Sequence, residues 1–271
     1  MFPKPKSSLS PNTYAFESGP LVKPTGFREY DARWLFEKEI NLMGVQALGM
    51  GLGTLIRQMG VRPEIVVGHD FRSYSASIKY ALVSGLMAAG CKVHDIGLAV
   101  TPMAYFAQFA LDIPCVAMVT ASHNDNGWTG VKMGAQRPLT FGPDEMGRLK
   151  DIVLGATFDL AGGGSYEFVE NFPARYIADL TERPKLARRL KVVAACGNGT
   201  AGAFATSFGT ATGLSTNTTT SGTTSFGTAS GFGTGGAFAT GFSTGTSGLN
   251  TTLGTGTGLA TGLASSTTFN I

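Results

Sequence analysis

PCVAMVTASHNDNGWTGVKMG, residues 114–134, is the stretch from which the rest of the chain can be read. Pro114–Val119 is short, apolar and partly β-branched, the pattern of a buried strand. The polar run that follows places Ser122 where that strand has just ended and an irregular loop begins. In open α/β sheets, ligands gather outside the carboxyl ends of strands. A second short strand is predicted at Val131–Met133, with Lys132 in the middle of it.

Outward from this point, strand and helix patterns alternate. EIVVGHDFR (Glu64–Arg72) reads as a buried strand with polar residues at its end. Residues 74–89 read as a helix with Ile78, Leu82, Leu86 and Ala89 on one face. CKVHDIG (Cys91–Gly97) alternates like a strand, Thr101-Pro102 opens a helix with proline in its first turn, and another helix starts near Pro143. Residues 35–59 carry helical spacing, and within them GMGLGT (Gly49–Thr54) mimics a dinucleotide fingerprint. That fingerprint follows a strand and opens a helix, whereas this one interrupts a helical pattern, so close helix packing is the expected role. The alternation predicts an α/β layer fold.

The expected organisation has four parts. Residues 1–25 form an extended arm and 26–160 an α/β domain. AGGGS (Ala161–Ser165) reads as a linker, so 161–205 is a linker plus the beginning of a second α/β domain, with 166–190 helical in character. LKVVAACGNGTAG (Leu190–Gly202) reads as a strand running into a Gly-rich turn. Every Lys, Arg, Asp and Glu lies at or before Lys191, and residues 206–271 are a Gly/Thr-rich low-complexity tail. Neither helical spacing nor clean strand alternation is visible there, and Gly-rich chain loses much entropy on folding. The tail is therefore expected to lack a packed core.

Composition narrows the function classes. A net charge of +3 on 271 residues argues against nucleic-acid binding and against a basic membrane face. No apolar run has the length of a membrane span, and the polar, proline-rich start lacks the apolar core of a signal peptide. The three cysteines, Cys91, Cys115 and Cys196, are far apart and odd in number. They predict no disulfide framework and a reduced, cytoplasmic setting.

Of the three histidines, His94 falls inside a strand and is most simply a packed residue. His69 stands at a strand end, where a cleft-lining role and a packing role weigh equally. His123, beside Ser122, carries the strongest functional signal. Three histidines without cysteine or acidic partners at ligand spacing do not make a zinc site. The Ser-His neighbours invite a hydrolase reading, but the G-x-S-x-G elbow is absent and adjacent residues seldom face each other as nucleophile and base. CGNGTAG (Cys196–Gly202) follows a strand but lacks the Gly-Lys-Ser/Thr end of a Walker loop.

TASHN (Thr120–Asn124), followed by Gly130-Val131-Lys132, resembles the phosphoserine loop of the α-D-phosphohexomutases, the phosphomannomutase/phosphoglucomutase enzymes. The spacing from Ser122 to Lys132 is that of bacterial members. Asp125 stands where the family has proline, and Thr129 where it has asparagine. FREYDAR (Phe27–Arg33) resembles the family's F-R-x-Y-D-x-R, GHDFRSYS (Gly68–Ser75) its G-R-D-x-R-x-S turn, and LKVVAACGNGTAG the opening strand of its second domain. The four matches occur in the family's order and cover roughly residues 20–205.

The resemblance implies a layered mixed sheet with flanking helices and a phosphoryl group carried on Ser122. That group would pass to and from a hexose phosphate through a hexose 1,6-bisphosphate, moving phosphate between C1 and C6. By the same resemblance Lys132 and Arg33 supply positive charge or proton handling, His123 and Asn124 hold the loop and the phosphoryl oxygens, and Tyr30 contacts substrate. The family's Mg²⁺ meets Ser122 through its phosphate, but its acidic D-x-D-x-D loop has no counterpart here, since no D-x-D occurs in the chain. The sugar-selecting G-E-x-S-G and phosphate-gripping R-x-S-G-T loops are also missing. Two readings follow: a phosphohexomutase incomplete in this chain, or a non-catalytic sugar-phosphate-binding fragment with a disordered tail.

Overall fold

The computed structural model describes residues 2–182, 191–197, 199–205, 215–220, 225–227, 242–243 and 265–270. It separates into two compact units, Met1–Pro173 and Ala174–Ile271.

The first unit is built on a six-stranded sheet of order β1-β5-β4-β2-β3-β6. Its strands are β1 (Asp31–Leu35), β2 (Glu64–His69), β3 (Lys92–Leu98), β4 (Cys115–Val119), β5 (Trp128–Gly134) and β6 (Ser165–Phe168). β4, β2, β3 and β6 run parallel to one another, whereas β5 is antiparallel to both β4 and β1. The expected layered mixed sheet is thus what forms. Helices α2 (Leu42–Gln58), α3 (Ser75–Ala88) and α5 (Pro143–Gly155) share a core with Ile65, Val67, Val93, Ala117, Val119, Val131 and Met133. Because strand side chains alternate between faces, Val66, Val116 and Met118 are buried on the other face. There α4 (Thr101–Ala110) lies against β4 and β2 and contributes the buried Met103, Ala104 and Ala107.

GMGLGT lies wholly inside α2 and is a packing device. A Cβ on Gly49 would lie 2.2 Å from the Leu82 carbonyl oxygen, and one on Gly85 of α3 would lie 2.1 Å from that of Gln46. The two helix backbones meet at these glycines, which leaves no room for a nucleotide. Asn41 caps α2, its Oδ1 accepting from Gly44 N at 2.8 Å and from Leu21 N at 2.9 Å. The helix therefore begins at Leu42 rather than at residue 35. The preceding residues of that stretch end β1 and turn back through it.

The N-terminal segment is not a loose arm. It forms a short helix α1 (Tyr14–Ser18), bridges Lys6 to Leu21 and Val22 to Ile40, and buries Leu21 and Val22. AGGGS leads directly into β6, which pairs parallel with β3 from Lys92–Ser165 to Asp95–Phe168. Residues 165–168 are therefore a strand, and helix α6 (Phe172–Glu182) starts only afterwards. Exposure of all four β6 residues explains why no apolar alternation announced it.

In the second unit, β7 (Lys191–Gly197) pairs antiparallel with β11 (Ser265–Asn270). The sheet continues through β8 (Ser215–Thr220), β9 (Ser225–Gly227) and β10 (Phe242–Ser243), in the order β10-β9-β8-β11-β7. The strand expected in LKVVAACGNGTAG is present, and Gly199 N donates to Cys196 O at 3.0 Å in the turn after it. Strands form within the Gly/Thr tract although no clean strand alternation is visible in its sequence. Thr is β-branched and suits a pleated surface even without apolar alternation. The basic KLARRL segment and most of the tail lie outside the described residues. Among the described residues, no helix is long and apolar enough to cross a membrane.

Candidate active site

The sheet brings together residues about a hundred positions apart. Register pairs Asp31 with Lys132 and Arg33 with Gly130 across β1 and β5. Since Ala32, Trp34, Val131 and Met133 fill the core under α2, alternation turns Asp31, Arg33 and Lys132 to the α4 face. There Asp31 Oδ2 accepts from Arg33 Nη2 at 2.7 Å, from Arg33 Nε at 3.1 Å and from Lys132 Nζ at 3.1 Å. Burial pushes the Asp31 carboxyl up, but hydrogen bonds and charge from Arg33 and Lys132 outweigh it and hold it below its ordinary 3.8. One carboxylate between two cations leaves an excess of positive charge. Burial, helped by the Asp31 charge, raises the Tyr105 hydroxyl of α4 above its usual range.

Gly130 is required by this arrangement, because a Cβ there would lie 2.3 Å from Ala32 O and 2.9 Å from Arg33 Cδ. With the way clear, Arg33 Nη1 reaches the Ala121 carbonyl oxygen and, at 2.5 Å, the Oδ1 of Asn124. Arg33 thereby ties β1 to the loop that carries Ser122.

Ser122 is exposed and has φ +56, the left-handed region. For a residue with a side chain this conformation costs roughly 1–2 kcal/mol, so the surroundings must hold it. Part of the holding is local: Ser122 N donates to Thr120 Oγ1 at 2.9 Å. The rest comes from the β2–α3 turn. Arg72 Nη2 donates to Asn124 O at 2.6 Å and Ser122 O at 3.4 Å, and Nη1 to Asp125 O at 2.8 Å. Tyr74 Oη lies 2.8 Å from Gly127 N, which donates to it, and 2.9 Å from Trp128 O, to which it donates. Asp70 in turn anchors Arg72 through an ion pair at 3.4 Å and accepts from Ser75 Oγ at 2.5 Å.

The structure thus gathers Ser122, Asn124, Arg33 and Lys132 into one neighbourhood. His123 is exposed, its Nδ1 3.4 Å from Ser122 Oγ, a weak contact at most. Tyr30 stands just before β1 with 63% of its surface exposed, outside this hydrogen-bond network. Sequence reasoning assigned no role to Asp31, Asp70, Arg72 or Tyr74. For Asp70, Arg72 and Tyr74 the signal was present in GHDFRSYS, at the end of the strand adjacent to β4, and for Asp31 in FREYDAR.

No cluster of three His, Cys, Asp or Glu suited to a metal ion occurs among the described residues. Of the carboxylates at the loop, Asp31 is committed to Arg33 and Lys132 and Asp70 to Arg72 and Ser75, and Asp125, in the loop itself, is exposed. Mg²⁺ favours several oxygen ligands in octahedral array, and these residues do not offer them.

His69 and His94 sit apart from the loop chemistry. Burial pushes both below their ordinary 6.5, assisted by Lys79 at His69 and by Lys92 at His94; Glu64 and Glu167 pull His94 the other way. His69 Nδ1 is buried without a hydrogen-bond partner, so an added proton there gains little. His94 Nε2 lies 3.6 Å from the Glu64 carboxylate and Nδ1 3.4 Å from that of Glu167, which offsets part of the effect of burial. A histidine pKa depressed in the folded state means that the unfolded chain protonates first. The stability it contributes is complete above 6.5 and is lost as pH falls below that value. Asp31 begins to matter only below 3.8. The urea midpoint is expected to drop between about pH 7.5 and pH 5.5, and to drop less in His94→Gln. An unchanged midpoint across that interval contradicts the assignment.

Comparison with known proteins gives the family of the chain that carries this site. A family model described as phosphoglucomutase/phosphomannomutase, alpha/beta/alpha domain I, matches residues 24–159. The phosphomannomutase/phosphoglucomutase of Pseudomonas aeruginosa is 31% identical over 187 residues, 69% of this chain and 39% of that protein. An Escherichia coli phosphomannomutase is 34% identical over 189 residues, 67% of this chain and 40% of its own. The crystal structure of a phosphoglucomutase/phosphomannomutase family protein from Burkholderia thailandensis superposes with a TM-score of 0.66 at 32% identity, over 71% of this chain and 43% of that one. The chain spans about two fifths of the length of these curated relatives. Because the matched region holds the serine loop, the strands bearing Asp31, Arg33 and Lys132, and the β2–α3 turn, the chain belongs to the phosphoglucomutase/phosphomannomutase family.

Proposed function

We propose that the chain is the phosphoserine-bearing part of a phosphohexomutase of the phosphomannomutase/phosphoglucomutase type, working on hexose phosphates through a hexose 1,6-bisphosphate. The observation that carries this reading is an exposed serine hydroxyl in left-handed backbone, on a strand-end loop gripped by two arginines. In the forward half-reaction Ser122 Oγ bonds to phosphorus as the bond from phosphorus to the sugar oxygen breaks. The serine proton ends on that oxygen as the new hydroxyl. In the return half-reaction the free C1 or C6 hydroxyl of a hexose monophosphate bonds to phosphorus as the bond from phosphorus to Ser122 Oγ breaks. That hydroxyl's proton returns to Oγ, and the 1,6-bisphosphate is regenerated. Such a transfer depends on in-line placement and on neutralising charge. Arg33 and Lys132 supply the positive field, Asn124 and His123 line the loop, and Tyr30 meets the sugar from the segment just before β1.

The missing D-x-D sequence and the partial coverage of the relatives favour, as a second reading, a fragment that binds sugar phosphate without turning it over. One experiment separates the two. After incubation with glucose 1,6-bisphosphate, intact mass and peptide mapping are expected to show one phosphoryl group on Ser122, and none in Ser122→Ala. Phosphate on another residue, or label persisting in Ser122→Ala, sinks the phosphoserine reading. Bisphosphate binding with no covalent label supports the second.

A further inference from the structure

The β2–α3 turn holds an arginine that the reaction scheme leaves without a task. Arg72 could grip a phosphate, but its donors point elsewhere. Nη1 is engaged by Asp125 O and lies 3.5 Å from Tyr74 Oη. Nη2 is shared between Asn124 O and Ser122 O, and Nε faces the Asp70 carboxylate. A guanidinium is planar with five donors in a fixed fork, and this fork faces three carbonyls of the loop, a hydroxyl and one carboxylate. The carboxylate is itself immobile: Asp70 is 5% exposed and also accepts from Ser75 Oγ and Arg72 N. Tyr74 extends the same grip to Gly127 and Trp128, its ring stacked on Phe36 at 5.5 Å.

The loop requires such support. It carries positive φ at Ser122 and at Gly127, and few bonds of its own hold residues 121–127. Arg33 grips it from the β1 side and Arg72 from the β2 side, so the serine hangs between two fixed strand ends.

We propose that Arg72, seated on Asp70 and flanked by Tyr74, is a positioning residue that fixes the Ser122 backbone for phosphoryl transfer without touching the phosphoryl group. The proposal rests on the reading that Ser122 is the phosphoryl carrier. It distinguishes Arg72 from Arg33, whose field acts on the phosphate. Loss of a positioning residue slows transfer at saturating substrate, since small misplacements of reacting atoms cost about 10²-fold. It leaves substrate affinity near its original value.

The test uses the full chain and two readouts. Single-turnover phosphorylation by glucose 1,6-bisphosphate gives a maximal rate and a half-saturating concentration. Amide hydrogen exchange gives the protection of residues 121–128. In Arg72→Ala the maximal rate is expected to fall about 100-fold while half-saturation shifts by less than about threefold. Exchange is expected to rise in the loop and not in β4 or β2. Guanidinium ion in the buffer should restore part of the rate, and Arg72→Lys should not, because one ammonium cannot serve three carbonyls in a plane. Tyr74→Phe, which keeps the ring stack, should give a smaller change of the same kind if Arg72→Ala proves too unstable to assay. An unchanged rate, or a loss confined to half-saturation, overturns the proposal. Should the parent chain take up no phosphate, the phosphoserine reading fails, and loop exchange alone decides whether Arg72 fixes the segment; unchanged exchange then overturns it.

Discussion

Lys79→Met is expected to lower the free energy of unfolding by about 3–5 kcal/mol, because it leaves a buried carboxylate without its cation. Lys79 and Asp95 have side chains only 2% and 0% exposed, and they form a direct ion pair between α3 and β3. Asp95 is otherwise well satisfied, accepting Gly97 N at 2.8 Å and the Tyr166 hydroxyl at 2.9 Å. The Lys79 ammonium also lies over the Tyr80 ring, 4.4 Å from its centroid. Deleting the ammonium removes both contacts and leaves negative charge in a low-dielectric interior, where an unpaired ion costs several kcal/mol. The pair also matters to the edge of the sheet, because Asp95 is the group through which Tyr166 fastens β6 to β3. Loss of Lys79 should therefore loosen β6 before the central strands. Urea denaturation with amide exchange of residues 165–168 measures both effects. A loss below about 1 kcal/mol would put the pair in the class of exposed bridges, against its burial.

Arg33→Met is expected to reduce the rate of Ser122 phosphorylation by about 10²–10³-fold, the scale for removing one preorganised group that stabilises transition-state charge. Arg33 differs from a surface cation in having three tasks at once. It balances Asp31, holds Ala121 O, and fixes the Asn124 side chain. Without it, Asp31 faces Lys132 alone and the positive excess at the site is gone. Half-saturation for the bisphosphate should rise together with the fall in maximal rate, which separates this variant from Arg72→Ala. Arg33→Lys is expected to recover little, because Asp31 is met by two of the guanidinium nitrogens and the loop by a third. A rate within about threefold of the parent would remove Arg33 from the reaction.

Much of the fold was legible before any coordinates. EIVV and PCVAMV are short apolar runs, and each is a central strand buried on both faces. Helical spacing over residues 74–89 gave α3 close to its observed limits, and the Thr-Pro at residue 101 gave the start of α4. TASHN, FREYDAR and GHDFRSYS named the family because each is a local string whose residues stay together. What these signals share is short range, since period and composition act within a turn or two of chain.

The tertiary structure decided everything that needed a partner distant in sequence. The last three residues of FREYDAR entered the edge strand β1 only by pairing with β5, and that register set Arg33 beside Gly130 and Asp31 opposite Lys132. GMGLGT, a fingerprint on paper, became a helix crossing because Gly49 and Gly85 meet. Exposed β6 carried no apolar alternation, and the Gly/Thr tract gave no period, so both were read without strands that pairing supplies. Arg72 could not be told from a phosphate ligand until its donors were seen turned to three carbonyls of the neighbouring loop, the Tyr74 hydroxyl and the Asp70 carboxylate. Register, close approach and the saturation of a polar side chain are properties of pairs, and a single string of residues specifies them only after the chain has closed upon itself.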